Sequence, residues 1–375
     1  MRIGIVGCGY ISARYLRTIQ LRPALKIVGV TDVIRERREL LAKHADCAAF
    51  DSLDHLLNES GADIILNLTN PHAHYEVNKA AILAGKHVYC EKPLATALSQ
   101  AQEVVALAKE KGVQLSGAPC NVLSETAQAV WRELRRKSFG TLRLAYAEMD
   151  DGMVPQSPYE KWVNEFGIPW PAKDEFEVGC TLEHAGYYLT WLAAFFGPAE
   201  SISRFGATTI PDKWPTPLER HSPDFTIAGI HFHSGITARL TCSIVAEQNR
   251  SLRIMGDHGV LTVKDCWDFR SYVGIQKRLN LRRKSILTPW SFPVSLPPPP
   301  LGKKVTKKGS APIDFASGVS ELADAVRRNR PSRLSPDYCL HITELSLAIN
   351  DGEHNPGRYV MKTTFEPIEP MPWSW

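Results

Sequence analysis

The sequence lacks long apolar runs, an excess of either charge, and paired cysteines. None of its 375 residues lies in a stretch near the roughly 18 apolar residues that a membrane-spanning helix needs. Lys and Arg number 44 against 40 Asp and Glu, a formal net charge of +4. Spread over this length, that charge points to neither nucleic acid nor a membrane surface as partner. The eight cysteines, Cys8, Cys47, Cys90, Cys120, Cys180, Cys242, Cys266 and Cys339, stand singly. They form no CxxC pair, no zinc framework and no disulfide scaffold, and scattered thiols suit a reducing compartment. His72, His74 and His184 lack the carboxylate-plus-histidine spacing of a metal site, so no metal is expected. No internal repeat is present. The chain opens on a strand-like run, Ile3-Gly4-Ile5-Val6, where a leader would need a longer apolar stretch, and a cytoplasmic location is expected.

The composition, 44% hydrophobic and 22% charged, is that of a folded globular chain, and the length implies two domains. Residues 1–120 alternate short apolar runs (2–6, 26–31, 48–50, 63–68, 87–90 and 114–116) with amphipathic stretches (11–20, 34–44, 53–58, 74–84 and 98–111). Such alternation predicts parallel strands with crossover helices, hence a doubly wound α/β sheet. Residues 121–375 have another rhythm. Helical patterns at 121–137, 182–196, 314–328 and 336–350 flank consecutive strand-like runs over 225–273, which suggests an α+β domain with a largely antiparallel sheet. The stretch 277–312 reads as a basic, Pro-rich solvated loop: Lys277, Arg278, Arg282, Arg283 and Lys284 precede Pro297–Pro300, and Lys303, Lys304, Lys307 and Lys308 follow.

Gly7-Cys8-Gly9-Tyr10-Ile11-Ser12 stands where the first strand meets the first helix. It has the GxGxx(G/A) form, with Ser12 in the third small position. Gly7 permits the tight turn, Gly9 lets the backbone approach a pyrophosphate, and the anion would rest on the helix N-terminus. Asp32 ends the second strand and would accept hydrogen bonds from the adenosine ribose hydroxyls, which favours NAD. Arg35 and Arg37 keep NADP open, since either could pair with a 2′-phosphate. In such a sheet, ligands bind beyond the carboxyl ends of the strands. Two further segments should therefore face the same crevice: Thr69-Asn70-Pro71-His72-Ala73-His74 after the fourth strand and Glu91-Lys92-Pro93 after the fifth. Lys92 is then placed to donate to a substrate oxygen and to interact with the nicotinamide ribose.

The stretch Ala84-Gly85-Lys86-His87-Val88-Tyr89-Cys90-Glu91-Lys92-Pro93-Leu94-Ala95 resembles the most characteristic motif of the glucose–fructose oxidoreductase / inositol dehydrogenase / rhizopine-catabolism (Gfo/Idh/MocA) family. The resemblance spans nearly the whole chain. It implies a Rossmann domain and a C-terminal domain whose open sheet often packs on another subunit, so a homodimer or homotetramer is expected. It also implies NAD(P)-dependent oxidation or reduction of a sugar, cyclitol or sugar derivative, with Lys92 as the catalytic lysine and Thr69, Asn70, Pro71, His74 and Glu91 beside Gly7, Gly9, Tyr10, Ile11 and Asp32 at the cofactor. The second family signature, an Asp-x-Gly-x-His core, aligns on Gly186 and puts His184 at the usual Asp and Tyr188 at the usual His. Four-residue spacing sets both on one helix face. Either His184 or Tyr188 would move the substrate proton, Tyr188 only if Lys92 lowers its pKa. Trp162 and Trp170 suit stacking on a sugar face, or simply anchor their loop. Two alternatives stand beside the dehydrogenase: a dinucleotide-binding regulator that has lost turnover, and a redox glycosidase that keeps its cofactor.

Overall fold

Apart from the edge run 48–50, the apolar runs of the first 120 residues are largely buried on both faces, as the strands of a parallel sheet covered by helices must be. In the computed structural model, which describes residues 1–220, 222–298 and 313–374, they form β1 (Arg2–Val6), β2 (Lys26–Thr31), β3 (Ala48–Phe50), β4 (Ile64–Asn67), β5 (His87–Cys90) and β6 (Leu115–Gly117). The order β3-β2-β1-β4-β5-β6, all parallel, makes a doubly wound sheet whose strand order reverses between β1 and β4. The crossovers are α1 (Ser12–Ile19), α2 (Arg35–Ala45), α3 (Leu53–Glu59), α4 (His74–Leu83) and α5 (Leu98–Lys111). Ile3, Ile5, Val30, Ile64, Ile65, Leu66, Val88 and Tyr89 have no exposed surface.

The chain forms two compact units, and the first is not a single stretch. It comprises Met1–Cys120 together with Pro158–Val178 and Phe315–Leu347. A single boundary at 120, as read from the sequence, therefore misses two returns of the chain. They are cemented to the Rossmann sheet by contacts remote in sequence. The helix Ala316–Arg327 docks on α1, where the Ala316 N–H donates to Thr18 Oγ1 at 3.0 Å, and Phe315 packs on Tyr15 with ring centroids 5.4 Å apart. The helix Pro336–Asn350 supports the loop after β5, since the Leu94 N–H donates to Thr343 Oγ1 at 3.3 Å.

The second unit, Asn121–Ser157, Gly179–Asp314 and Ala348–Trp375, holds α6 (Glu125–Arg135), β7 (Leu142–Met153), α7 (Gly186–Phe196), β8 (Ala199–Ala207), β9 (Phe225–Phe232), β10 (Thr237–Ser243), β11 (Val245–Asn249), β12 (Leu252–Gly256), β13 (Gly259–Val263), β14 (Val273–Leu281), β15 (Lys284–Leu287), β16 (Phe292–Pro293) and β17 (Gly357–Val360). Among the described residues these strands make one sheet along the path β15-β14-β13-β12-β7-β10-β9-β8-β17, with β11 on β7 and β16 on β14. The pairing is antiparallel except between β7 and β10. One face is apolar by strict alternation: Ala228, Ile230 and Phe232 of β9 are buried while His231 is exposed.

The basic stretch departs from a loop. Residues 277–287 continue β14 and return as β15, joined at Arg282-Arg283 with Arg282 at φ +53°. Pairing between β14 and β15 decides this, because an edge hairpin exposed on both faces leaves little alternation to read. Pro299, Pro300, Lys303, Lys304, Lys307 and Lys308 lie outside the described residues. Among those described, no helix is long and apolar enough to cross a membrane.

Gly318 tests the docking of the helix Ala316–Arg327. A Cβ there would stand 2.2 Å from the Tyr89 hydroxyl and 2.6 Å from its ring, and Tyr89 is wholly buried in β5. Gly318→Ala is expected to cost about 1–3 kcal/mol of stability by overpacking, read from the urea unfolding midpoint.

Candidate functional site

The nucleotide loop is built on a backbone contact that only glycine allows. Gly7 follows β1 at φ +93°, and a Cβ there would lie 2.6 Å from the carbonyl carbon and oxygen of Leu68 and 2.7 Å from the Thr69 nitrogen. The turn after β1 thus rests against the end of β4, at the point where the strand order reverses. Around Gly9 the place of a Cβ is open, with nothing within 4 Å. Ser12 is buried and donates from Oγ to the Gly9 carbonyl at 2.7 Å. The N–H groups of Gly9, Tyr10 and Ile11 have no acceptor among the described residues, and the first turn of α1 carries no acidic side chain. Three open amides at a helix start favour an anion.

Asp32 closes the other side of this loop. Its Oδ2 accepts the Cys8 N–H at 2.6 Å and its Oδ1 the Ile34 N–H at 2.8 Å, so the carboxylate both knits the turn and presents its remaining lone pairs. Val33, the next residue, is 99% exposed. Of the two arginines weighed for a 2′-phosphate, Arg35 is held by Glu39 at 2.6 Å, whereas Arg37 makes no ion pair among the described residues. These features fit a dinucleotide: a glycine turn, open amides, an empty cradle at Gly9 and a carboxylate at the ribose position.

The segments after β4 and β5 are tied together by a buried polar network. Asn67 Nδ2 donates to Asn78 Oδ1 at 2.9 Å and to the His74 carbonyl at 3.2 Å, while its Oδ1 accepts the Thr69 hydroxyl at 2.7 Å. Asn78 Nδ2 donates to the Leu94 carbonyl at 3.1 Å. Asn70 is spent on local structure: its side chain accepts the Ala73 N–H at 3.2 Å and caps the short turn Pro71–Ala73. His74 is 1% exposed, with Nδ1 2.6 Å from the Pro93 carbonyl and Nε2 3.0 Å from the Thr69 carbonyl. It fastens the β4 segment to the residue after Lys92. Glu91 accepts the Tyr15 hydroxyl at 2.6 Å and the Lys92 N–H at 3.2 Å. Lys92 is half-buried at the end of β5.

In the second unit a charged cluster surrounds His184. The chain enters α7 through a π-helical turn, Thr181–Ala185, a wider turn often found at functional sites. His184 Nε2 lies 3.7 Å from Asp151 Oδ2, with side chains 13% and 18% exposed. Arg250 stands 3.9 Å from Asp151 and 3.7 Å from Asp265 and stacks over the Trp267 ring at 4.0 Å. Burial raises the Asp265 pKa, opposed by the Trp267 N–H and the Arg250 charge. Arg250 Nε and Trp267 Nε1 are buried donors without a hydrogen-bond acceptor among the described residues. No group of three or more His, Cys, Asp or Glu among those residues could hold a metal ion.

Two family models match the chain: the oxidoreductase family with an NAD-binding Rossmann fold over residues 1–118, and the GFO/IDH/MocA C-terminal domain over residues 127–262. The chain belongs to the GFO/IDH/MocA family. It is an NAD(P)-dependent oxidoreductase of that family. It is 24% identical over 276 residues to the trans-1,2-dihydrobenzene-1,2-diol dehydrogenase of Sus scrofa, covering 71% of this chain and 75% of that one. The fold matches an NAD-binding oxidoreductase from Klebsiella pneumoniae at a TM-score of 0.77 and 20% identity, covering 96% and 99% of the two chains. It also matches the WlbA dehydrogenase of Bordetella pertussis, solved with NADH and UDP-GlcNAcA, at a TM-score of 0.73 and 20% identity, covering 96% and 98%.

Within the GFO/IDH/MocA frame, the two residues of the second signature differ in burial. Tyr188 is completely buried, donates its hydroxyl to the Arg250 carbonyl at 2.6 Å, and has its pKa pushed well above the ordinary tyrosine value by burial. Its hydroxyl is thereby committed to the backbone at Arg250. Trp162 and Trp170 pack edge to face, with centroids 5.1 Å apart, and Trp170 also meets Tyr159 and Phe176; they anchor their segment. Sequence reasoning missed Asp151, Arg250, Asp265 and Trp267. Their only sequence signal is an acidic pair, Asp150-Asp151, late in a strand, because the β-sheet alone gathers them.

Burial pushes the His74 pKa down, outweighing the two carbonyl contacts that would raise it. A histidine depressed in the folded state contributes stability above its unfolded pKa of about 6.5, and that stability is lost as pH falls through the lower folded value. The melting temperature should therefore drop as pH falls below about 6.5, and His74→Asn should flatten that part of the profile in a thermal-melt series.

Proposed function

We propose that the chain moves a hydride between a nicotinamide cofactor, NAD in preference to NADP, and the carbon bearing a hydroxyl or carbonyl on a sugar, cyclitol or sugar derivative. The observation that carries this reading is the setting of Lys92. It follows β5 at the carboxyl end of the sheet, its N–H is fixed by Glu91, Glu91 is fixed by Tyr15, and the next residue is clamped by His74. When bound, the dinucleotide supplies the hydride chemistry. The chain orients the substrate oxygen and manages its proton. Lys92 donates a hydrogen bond to that oxygen. His184 takes the hydroxyl proton on oxidation and returns it on reduction, with Asp151 Oδ2 3.7 Å from its Nε2. The carboxylates of Asp151 and Asp265, flanking Arg250, suit a ligand rich in hydroxyls. The diol in the name of the pig relative and the sugar nucleotide bound to the Bordetella dehydrogenase support the same class.

Asp32 supports NAD, because a carboxylate receives ribose hydroxyls and repels a 2′-phosphate. Titration of the intrinsic fluorescence with NADH and NADPH is expected to show tighter NADH binding. Tighter NADPH binding would reverse the choice and move the weight to Arg37.

Turnover is followed by nicotinamide absorbance across polyols, sugars and sugar nucleotides. Lys92→Ala should bind dinucleotide as the parent does and lose about 10²–10⁴ in kcat, and His184→Asn should fall in the same range. Tyr188→Phe should keep most of kcat and lose about 1 kcal/mol of stability with its buried hydrogen bond. Near-parental turnover in Lys92→Ala, or a hydride-transfer step lost in Tyr188→Phe with substrate binding intact, would overturn these roles.

A further inference from the structure

A segment far from the nucleotide loop in sequence is bonded to it. Pro158–Val178 packs with the first unit, and Asn164 is the residue that meets the loop. Asn164 is nine-tenths buried. Its Oδ1 accepts the N–H groups of Phe166 at 2.9 Å and Ile168 at 3.0 Å, closing a tight turn in which Gly167 takes φ +76°. The side-chain amide is left to point outward, and Nδ2 donates to the Tyr10 carbonyl at 3.0 Å. Two residues on, Phe166 stacks on His44 of α2, with centroids 4.3 Å apart and planes 19° from parallel. The segment therefore grips the nucleotide unit at the glycine loop and at α2. The aromatic packing of Trp162, Trp170 and Phe176 stiffens it.

The Tyr10 carbonyl shares a peptide plane with the Ile11 N–H. In a planar trans peptide the two point in opposite directions, so holding the Tyr10 oxygen toward Asn164 turns the Ile11 N–H away from the segment. That N–H is one of the three open amides at the start of α1. We propose that Asn164 is a positioning residue for the dinucleotide pyrophosphate: it sets the Tyr10–Ile11 peptide so that the Ile11 amide is presented to the anion. The segment Pro158–Val178 is thereby part of the dinucleotide site. The inference rests on dinucleotide binding by the first unit.

The test uses the full chain and NADH fluorescence, with displacement of NADH by ADP, which carries a pyrophosphate, and by AMP, which does not. Asn164→Asp keeps an oxygen for the Phe166 and Ile168 amides and puts an acceptor where the Tyr10 carbonyl needs a donor. It should bind NADH and ADP about tenfold more weakly, with AMP within about twofold and a melting curve that stays cooperative at a slightly lower temperature. Unchanged NADH and ADP affinity in the folded variant would overturn the proposal, as would an equal loss for ADP and AMP. If Asn164→Asp fails to fold, His44→Ala, at an exposed helix position, removes the Phe166 stack instead. A loss of about two- to threefold for NADH and ADP alone is then expected, and no loss overturns the proposal. Failure of the parent protein to bind NADH would sink the dinucleotide reading itself, a result distinct from parental binding that the variants leave untouched.

Discussion

The approach of Gly7 to Leu68 and Thr69 is the contact on which the first unit's chemistry depends. Two parallel strands, β1 and β4, run side by side, and the chain leaves each in a different direction. The space between their ends is too small for a side chain, and a Cβ at Gly7 would overlap the backbone at 2.6 Å. Because that turn is tight, α1 starts directly above the strand end and its first amides stay open. Asp32 reaches across from β2 to hold Cys8, and Ser12 spends its hydroxyl on Gly9. The open donors of the loop are therefore all backbone, and the side chains around them serve to hold that backbone still.

The same economy governs the loop that carries Lys92. A lysine at a strand end is ordinarily a solvated charge. Here the residues before and after it are fixed from different elements: Glu91 by Tyr15 of α1, Pro93 by His74 at the start of α4, and Leu94 by Asn78 and Thr343. A buried polar network is stable only when its members are satisfied. Asn67 and Asn78 meet that condition by bonding chiefly to backbone carbonyls and to one another. Loss of any one member would leave buried polar atoms without partners, which couples the conformation of the lysine loop to the stability of the unit.

In the second unit, charge takes the part that backbone plays in the first. Arg250 is flanked by two aspartates and stacked on Trp267. Tyr188 holds the Arg250 carbonyl from beneath, and the π turn brings His184 beside Asp151. Where the family signature has Asp and His, this chain has His184 and the buried Tyr188. The carboxylate beside the histidine comes from β7, thirty-odd residues earlier in the chain.

Local chemistry settled much of this in the sequence alone. Gly7, Gly9 and Asp32 were legible because a glycine turn between strand and helix, with an acidic residue one strand later, is a local pattern with a local cause. The six strands of the first sheet were legible because burial on both faces leaves uninterrupted apolar runs. The matching motif around Glu91-Lys92-Pro93 made the family legible as well. Tertiary structure alone decided what depends on remote partners. The chain returns to the Rossmann sheet at Pro158–Val178 and Phe315–Leu347, since side chains such as Thr18 and Tyr15 bond across hundreds of residues. Tyr188 bonds to the backbone because the Arg250 carbonyl stands over its hydroxyl. Asp151 joined His184 because sheet pairing sets where β7 ends. Sequence spacing places residues on one helix or strand, whereas burial and hydrogen bonding across elements determine which of them remain open to chemistry.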